Sequence, residues 1–181
     1  MNKVKAHFKD SLSYYKIAYF IRDYLNLNTI VVCIGTDRCI GDCLGPLVGT
    51  LLEEKRFPLP VFGTVSEPIH ALNIDKRLQE IKLAYADANI IGIDACLGDI
   101  DSIGEIQARD FSIHPGKGVG KTLPHVGESS IIGIVDSTES NIFTNNTIRL
   151  DLVLNMSKII TESLLYAYNL NFPNLCNIKY K

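Results

Sequence analysis

Two hydrophobic periods alternate along the chain, and the alternation predicts its architecture. Residues 29–34 (Thr-Ile-Val-Val-Cys-Ile) form a continuous, largely β-branched apolar run closed by Gly35, the pattern of a strand buried on both faces. Leu44, Leu47, Val48, Leu51 and Leu52 then recur at helical spacing, and residues 59–64 form a second short strand. A helix carrying Leu72, Leu78 and Ile81 leads to residues 89–94 (Asn-Ile-Ile-Gly-Ile-Asp), another apolar strand that stops at an acid. Residues 104–108 fit an edge strand and residues 129–135 a further buried one. Upstream, Tyr14, Ile17, Ala18, Ile21 and Leu25 predict an amphipathic helix capped by Ser11. A last helix over 147–168 sets Leu152, Val153, Met156, Ile159, Ile160, Leu164 and Ala167 on one stripe. Strands alternating with helices imply an α/β fold, a largely parallel sheet covered by helices on both faces.

Length adds that this is one domain: 181 residues fill one core and are short for two. The domain spans 1–181, with its core at about 25–168 and an asparagine-rich tail after Tyr168 expected to be loose. A net charge of -2, with cations scattered end to end, leaves no electrostatic footprint for nucleic acid. No leader pattern or bilayer-length apolar run is visible, so we expect a cytoplasmic protein with no membrane partner. Cys33, Cys39, Cys43, Cys96 and Cys176 include no Cys-x-x-Cys pair, which fits reduced thiols in a cytosol.

Residues 114–122, His-Pro-Gly-Lys-Gly-Val-Gly-Lys-Thr, end like a phosphate-binding loop in Gly120, Lys121 and Thr122. That loop requires a glycine where Pro115 stands. Proline has a fixed φ and no amide hydrogen to give a phosphate. Pro124 then falls where the following helix should gain its first turn. We therefore expect no nucleotide.

In open α/β sheets ligands gather beyond the carboxyl ends of the strands. After the first buried strand comes Gly-Thr-Asp-Arg-Cys-Ile-Gly-Asp-Cys-Leu-Gly-Pro, with Asp37, Cys39, Asp42 and Cys43; after the strand at 89–94 come Asp94 and Cys96; before the last strand lie His114, His125 and Glu128. Parallel strands would bring Asp42, Asp94 and His125 to one rim. Two carboxylates and an imidazole suit either a divalent metal or a shared proton for acid and base work. Each also has a structural role open to it: Asp42 as a helix cap, Asp94 as a turn former, His125 as a hydrogen-bonding side chain, and the cysteines as small buried hydrophobes.

The segments Ile-Gly-Thr-Asp-Arg-Cys-Ile-Gly-Asp-Cys-Leu-Gly-Pro-Leu-Val-Gly, Gly-Ile-Asp-Ala-Cys-Leu-Gly and 110–136, in that order, resemble the YyaC sporulation-protein family of spore-forming Firmicutes, described as spore proteases. More distantly they resemble germination protease and the hydrogenase maturation endopeptidases. The resemblance implies a three-layer α/β/α sandwich with a mixed, mostly parallel sheet, of the phosphorylase/hydrolase-like, germination protease type. Asp-Cys-Leu-Gly-Pro matches the protease segment that supplies one essential acid, so that role falls to Asp42; Gly-Ile-Asp-Ala-Cys matches the second and points to Asp94. By analogy with the nickel-binding endopeptidases, Asp42, Asp94 and His125 would be ligands of a divalent metal. Gly116, Gly118 and Gly120 match a protease rim loop whose amides would meet an extended peptide or an oxyanion.

The function expected is an endopeptidase acting on a small protein or propeptide, a spore protein among the candidates, in the cytoplasm of the developing spore or mother cell. The rival expectation is a non-catalytic sporulation factor that binds metal or peptide on a protease fold. A third makes Cys43 or Cys96 a nucleophile helped by His125. Oligomeric state is open.

Overall fold

A computed structural model describes residues 2–115, 123–138 and 148–176. Six strands, β1 (Lys3–His7), β2 (Thr29–Cys33), β3 (Val61–Phe62), β4 (Asn89–Gly98), β5 (Glu105–Arg109) and β6 (Ser129–Ser137), make one sheet in the order β1-β5-β6-β4-β2-β3. β2, β3, β4 and β6 are mutually parallel, and β5 runs antiparallel to both its neighbours. The sheet is mixed and mostly parallel, as expected.

Period-two alternation assigns the two faces. Val31, Cys33, Ile91, Ile93 and Ile131 point into one core with α1 (Ser13–Ile21), α2 (Leu44–Glu54) and α4 (Leu150–Asn171). Ile30, Val32, Ile34, Ile90, Ile132 and Ile134 point into a second core beneath α3 (Ile74–Ala84). Hence strands buried on both faces lack alternating polarity: β2 and β6 are buried at every residue.

Several boundaries differ from the sequence reading, each for a local reason. β5 is interior, because β1 pairs with it from Lys3↔Arg109 to His7↔Glu105 and takes the edge. Ser11 does not cap α1; Asp10 instead accepts the Leu12 N–H at 3.0 Å and the Lys16 ammonium at 2.6 Å. Leu72 lies outside α3 and is 78% exposed. The turn before α3 is built by Asn73, which accepts the His70 N–H at 2.8 Å and donates to Pro68 O at 3.0 Å. The segment after Tyr168 is ordered further than expected: α4 runs on to Asn171, whose Nδ2 donates to Arg22 O at 2.7 Å and Leu25 O at 2.8 Å, and a short α5 (Pro173–Cys176) follows. The start of the expected last helix, at residue 147, lies outside the described residues.

α2 lies almost in backbone contact with the end of β2. A Cβ on Gly45 would stand 2.1 Å from Ile34 O. Alanine normally stabilises a helix interior over glycine by about 1 kcal/mol. Here the clash is with backbone that cannot rotate away, and overpacking of this kind costs about 3 kcal/mol. Gly45→Ala should therefore lower the unfolding free energy in urea, opposite to the propensity trend.

Candidate functional site

Asp42 is delivered by the turn that ends β2. Ile34 N–H donates to Ile93 O at 2.7 Å, Gly35 N–H to Ile69 O at 2.8 Å, and Thr36 N–H folds back to Asp42 O at 3.1 Å. Gly35 has φ 141°, and a Cβ there would lie 1.9 Å from Asp42 O, so only glycine permits the closure. Asp42 sits in a 3-10 turn (Gly41–Cys43) that runs directly into α2. Its carboxyl caps neither helix: no side-chain cap bond closes the turn or α2. The capping role open to it in the sequence is not the one it fills.

Asp94 comes from β4, one residue beyond the last pairing with β2 (Cys33↔Ile93) and opposite Ile132 of β6. Its Oδ1 accepts the N–H of Ala95 at 2.8 Å. Burial pushes this carboxyl up to about 8, against the Ala95 N–H that favours its ionised form, and the charge of Asp42 pushes the same way as burial. Asp42 keeps solvent-accessible atoms, yet burial of its carboxyl raises it too. The segments carrying the two acids, about fifty positions apart, are thus in contact at one rim, and Asp94 feels the charge of Asp42. Asp94, raised to about 8, therefore keeps its proton at neutral pH.

The remaining candidates fall elsewhere. Ile113 and Val126 form an antiparallel bridge that sets His114 and His125 side by side, ring centroids 3.8 Å apart, both exposed. Among the described residues no three His, Cys, Asp or Glu side chains form a group fit to hold a metal ion. Asp42, Asp94 and His125 are not brought together as such a group among the described residues. Gly116, Gly118 and Gly120 lie outside the described residues. Glu128 accepts the Ile90 N–H at 2.7 Å and so fastens the start of β4. Cys43 is buried, and burial, then the charges of Asp37 and Cys39, push its thiol up, which disfavours the thiolate a nucleophile needs.

Sequence reasoning missed a polar row on β5. Arg109 donates to Gln107 Oε1 through Nη2 at 2.8 Å, Gln107 donates to Glu105, and Lys5 pairs with Glu105 at 2.9 Å. Burial lowers the Arg109 guanidinium, while the charges of Cys96 and then Glu105 work the other way. The signal was present in the alternation of Glu-Ile-Gln-Ala-Arg, whose polar members share one face.

The family model described as "Protein of unknown function (DUF1256)" matches residues 5–163. The chain belongs to the DUF1256 family. A relative, "Uncharacterized protein YyaC" of Bacillus subtilis (strain 168), is 43% identical over 137 residues, which cover 75% of this chain and 67% of that protein. The DUF1256 match includes both acids of the rim, Asp42 and Asp94.

A raised carboxyl has a thermodynamic signature. Between the unfolded value near 4 and about 8 in the fold, the folded state holds a proton that the unfolded chain has lost, so stability falls as pH rises through that window and is flat above it. Asp94→Asn cannot ionise and can still accept from Ala95 N–H. Its melting temperature should therefore gain on the wild type progressively from pH 4 to 8, with the gain level above about 8. A difference independent of pH would contradict the raised carboxyl.

Proposed function

We propose that this DUF1256 member is a peptide-bond hydrolase in which Asp42 and Asp94 act as an acid and base pair on one water molecule. The carrying observation is a buried carboxyl at a strand-end rim, Asp94, raised to about 8 by burial and further by the charge of Asp42. At neutral pH Asp94, raised to about 8, holds a proton, and the more exposed Asp42 takes the part of the base. Asp42 takes a proton from water as its oxygen attacks the scissile carbonyl, and Asp94 gives its proton to the carbonyl oxygen. On collapse Asp42 gives its proton to the leaving amine and a hydroxyl of the tetrahedral species returns one to Asp94, so the pair is restored. The likeness of Asp-Cys-Leu-Gly-Pro and Gly-Ile-Asp-Ala-Cys to germination protease supports the same two residues. On that likeness the substrate is a small protein or propeptide of a spore-forming cell, met in the cytoplasm of the developing spore or mother cell.

The test is incubation of the purified protein with acid-soluble proteins extracted from developing spores, followed by mass spectrometry of fragments. Discrete fragments should form, and Asp42→Asn and Asp94→Asn should each slow their release by about 10²–10⁴-fold. The rate should fall as pH rises through about 8, where Asp94 loses its acidic proton. Chelation by EDTA should leave the rate unchanged. Absence of fragments from the wild type, or full activity in both variants, would refute the proposal.

A further inference from the structure

β4 outruns its neighbour. It pairs with β6 from Ile91 to Gly98, but its pairing with β2 stops at Ile93. N–H and C=O of one residue point to the same side of a strand, and sides alternate along it. Ile93 O accepts from Ile34 on the β2 side, whereas Ile90 O and Gly98 O accept from Glu128 and Thr138 on the β6 side. Ala95 and Leu97 therefore direct their backbone groups toward the side that β2 has vacated. The next donor that β2 would have supplied, Thr36 N–H, goes to Asp42 O instead.

Of the four outward groups, two are met by side chains: Ala95 N–H donates to Asp94 Oδ1 at 2.8 Å, and Leu97 O accepts from the Cys96 thiol at 3.2 Å. Ala95 C=O and Leu97 N–H have no partner among the described residues. An acceptor and a donor two residues apart on one edge are the two halves of a single parallel pairing, since one opposing residue gives its N–H to the first and takes the second. An antiparallel partner would reach Ala95 C=O and Leu97 N–H only as halves of two separate narrow pairs, whose other halves, Ala95 N–H and Leu97 C=O, are already taken by Asp94 and Cys96. Leu97 is 45% exposed, Ile40 beside the Asp42 turn 47%, and Ile100 just past β4 66%. Apolar side chains thus flank the open pair.

We infer that the projecting edge of β4 from Ala95 to Leu97 is the substrate-docking edge, taking an extended peptide as an added parallel strand. One peptide residue lies opposite Cys96, with its N–H on Ala95 O and its C=O on Leu97 N–H. Ile34 and Gly35 occupy the lane beside Asp94 and Ala95, so the peptide's preceding residues leave the sheet plane at the acid pair. The bond presented to Asp42 and Asp94 is therefore the one N-terminal to the anchored residue. Main-chain bonds supply the anchorage, and the aliphatic rim favours apolar side chains next to the cut.

This inference rests on the proposed hydrolase, and its test is made independent of cleavage by using Asp42→Asn/Asp94→Asn protein. Random dodecapeptides displayed on phage are selected on it, and the winners are synthesised. Amide hydrogen exchange followed by NMR should show Leu97 N–H exchanging fast in the free protein and slowed at least about tenfold with peptide bound. Leu97→Pro deletes the outward N–H and spares the β6 ladder, so it should weaken binding about tenfold or more, while Leu97→Val, which keeps the N–H, should stay within about threefold. Should Leu97→Pro fail to fold, the exchange result decides alone. Selection of no peptide, unprotected Leu97, or equal affinity of Leu97→Pro and wild-type sequence would overturn the docking edge. Peptides that dock as described on a wild type unable to cut any of them would instead count against the acid pair.

Discussion

Where β2 ends, the chain must reverse into α2 within a few residues while the helix packs directly on the strand it has just left. That close approach is bought with glycine: Gly35 lies against Asp42 O, and Gly45 against Ile34 O. The geometry has a consequence for chemistry. With no side chain between the two backbones, the 3-10 turn at Gly41–Cys43 is held at the sheet's rim, where β4 continues past its neighbour. The segments that carry Asp42 and Asp94 are brought together by this backbone packing.

The pairing is unfavourable for stability, which bears on its meaning. A structural carboxylate is normally placed so that its charge is satisfied by several N–H groups or a cation. Asp94 has one N–H, its own chain neighbour's, and an acid as its charged company. A group kept in a state that penalises its ionised form is more readily explained by proton transfer than by folding. The thiol alternative lacks comparable support at Cys43, whose sulfur is buried among groups that disfavour the thiolate. The two histidines lie side by side, their rings tilted by 46°, at the Ile113–Val126 bridge.

Much of this was legible in the chain because the signals were strong and local. Strands buried on both faces, such as Thr29–Cys33 and Ser129–Ser137, are continuous apolar runs that few other structures produce. The two acids were legible for a topological reason, since parallel strands place their carboxyl ends together. What escaped was set by pairing between remote segments. Lys3–His7 alternates over only five residues and shows its role as an edge strand only when Lys5 is seen beside Glu105. Ser11 is a better cap by type than Leu12, but Asp10 reached the free amide first. His125 matched a ligand by order in the sequence, and its neighbour in space is His114.

The projecting end of β4 ties these threads together. A strand with an unpaired edge is ordinarily a liability, and chains blunt it with lysine, proline, a bulge or a covering loop. The outer edge of the sheet follows that rule, since β1 carries Lys3 and Lys5. At β4 the register does shift between Cys96 and Leu97, but the irregularity falls on the β6 pairing, where Cys96 pairs with Ile134 and Leu97 with Asp136. The protection there is partial and chemical: Asp94 and Cys96 each satisfy one outward backbone group with their own side chains. The residue that shields the edge is also the residue with the displaced proton. An incoming backbone would therefore meet the acid and the pairing site within one strand residue of each other.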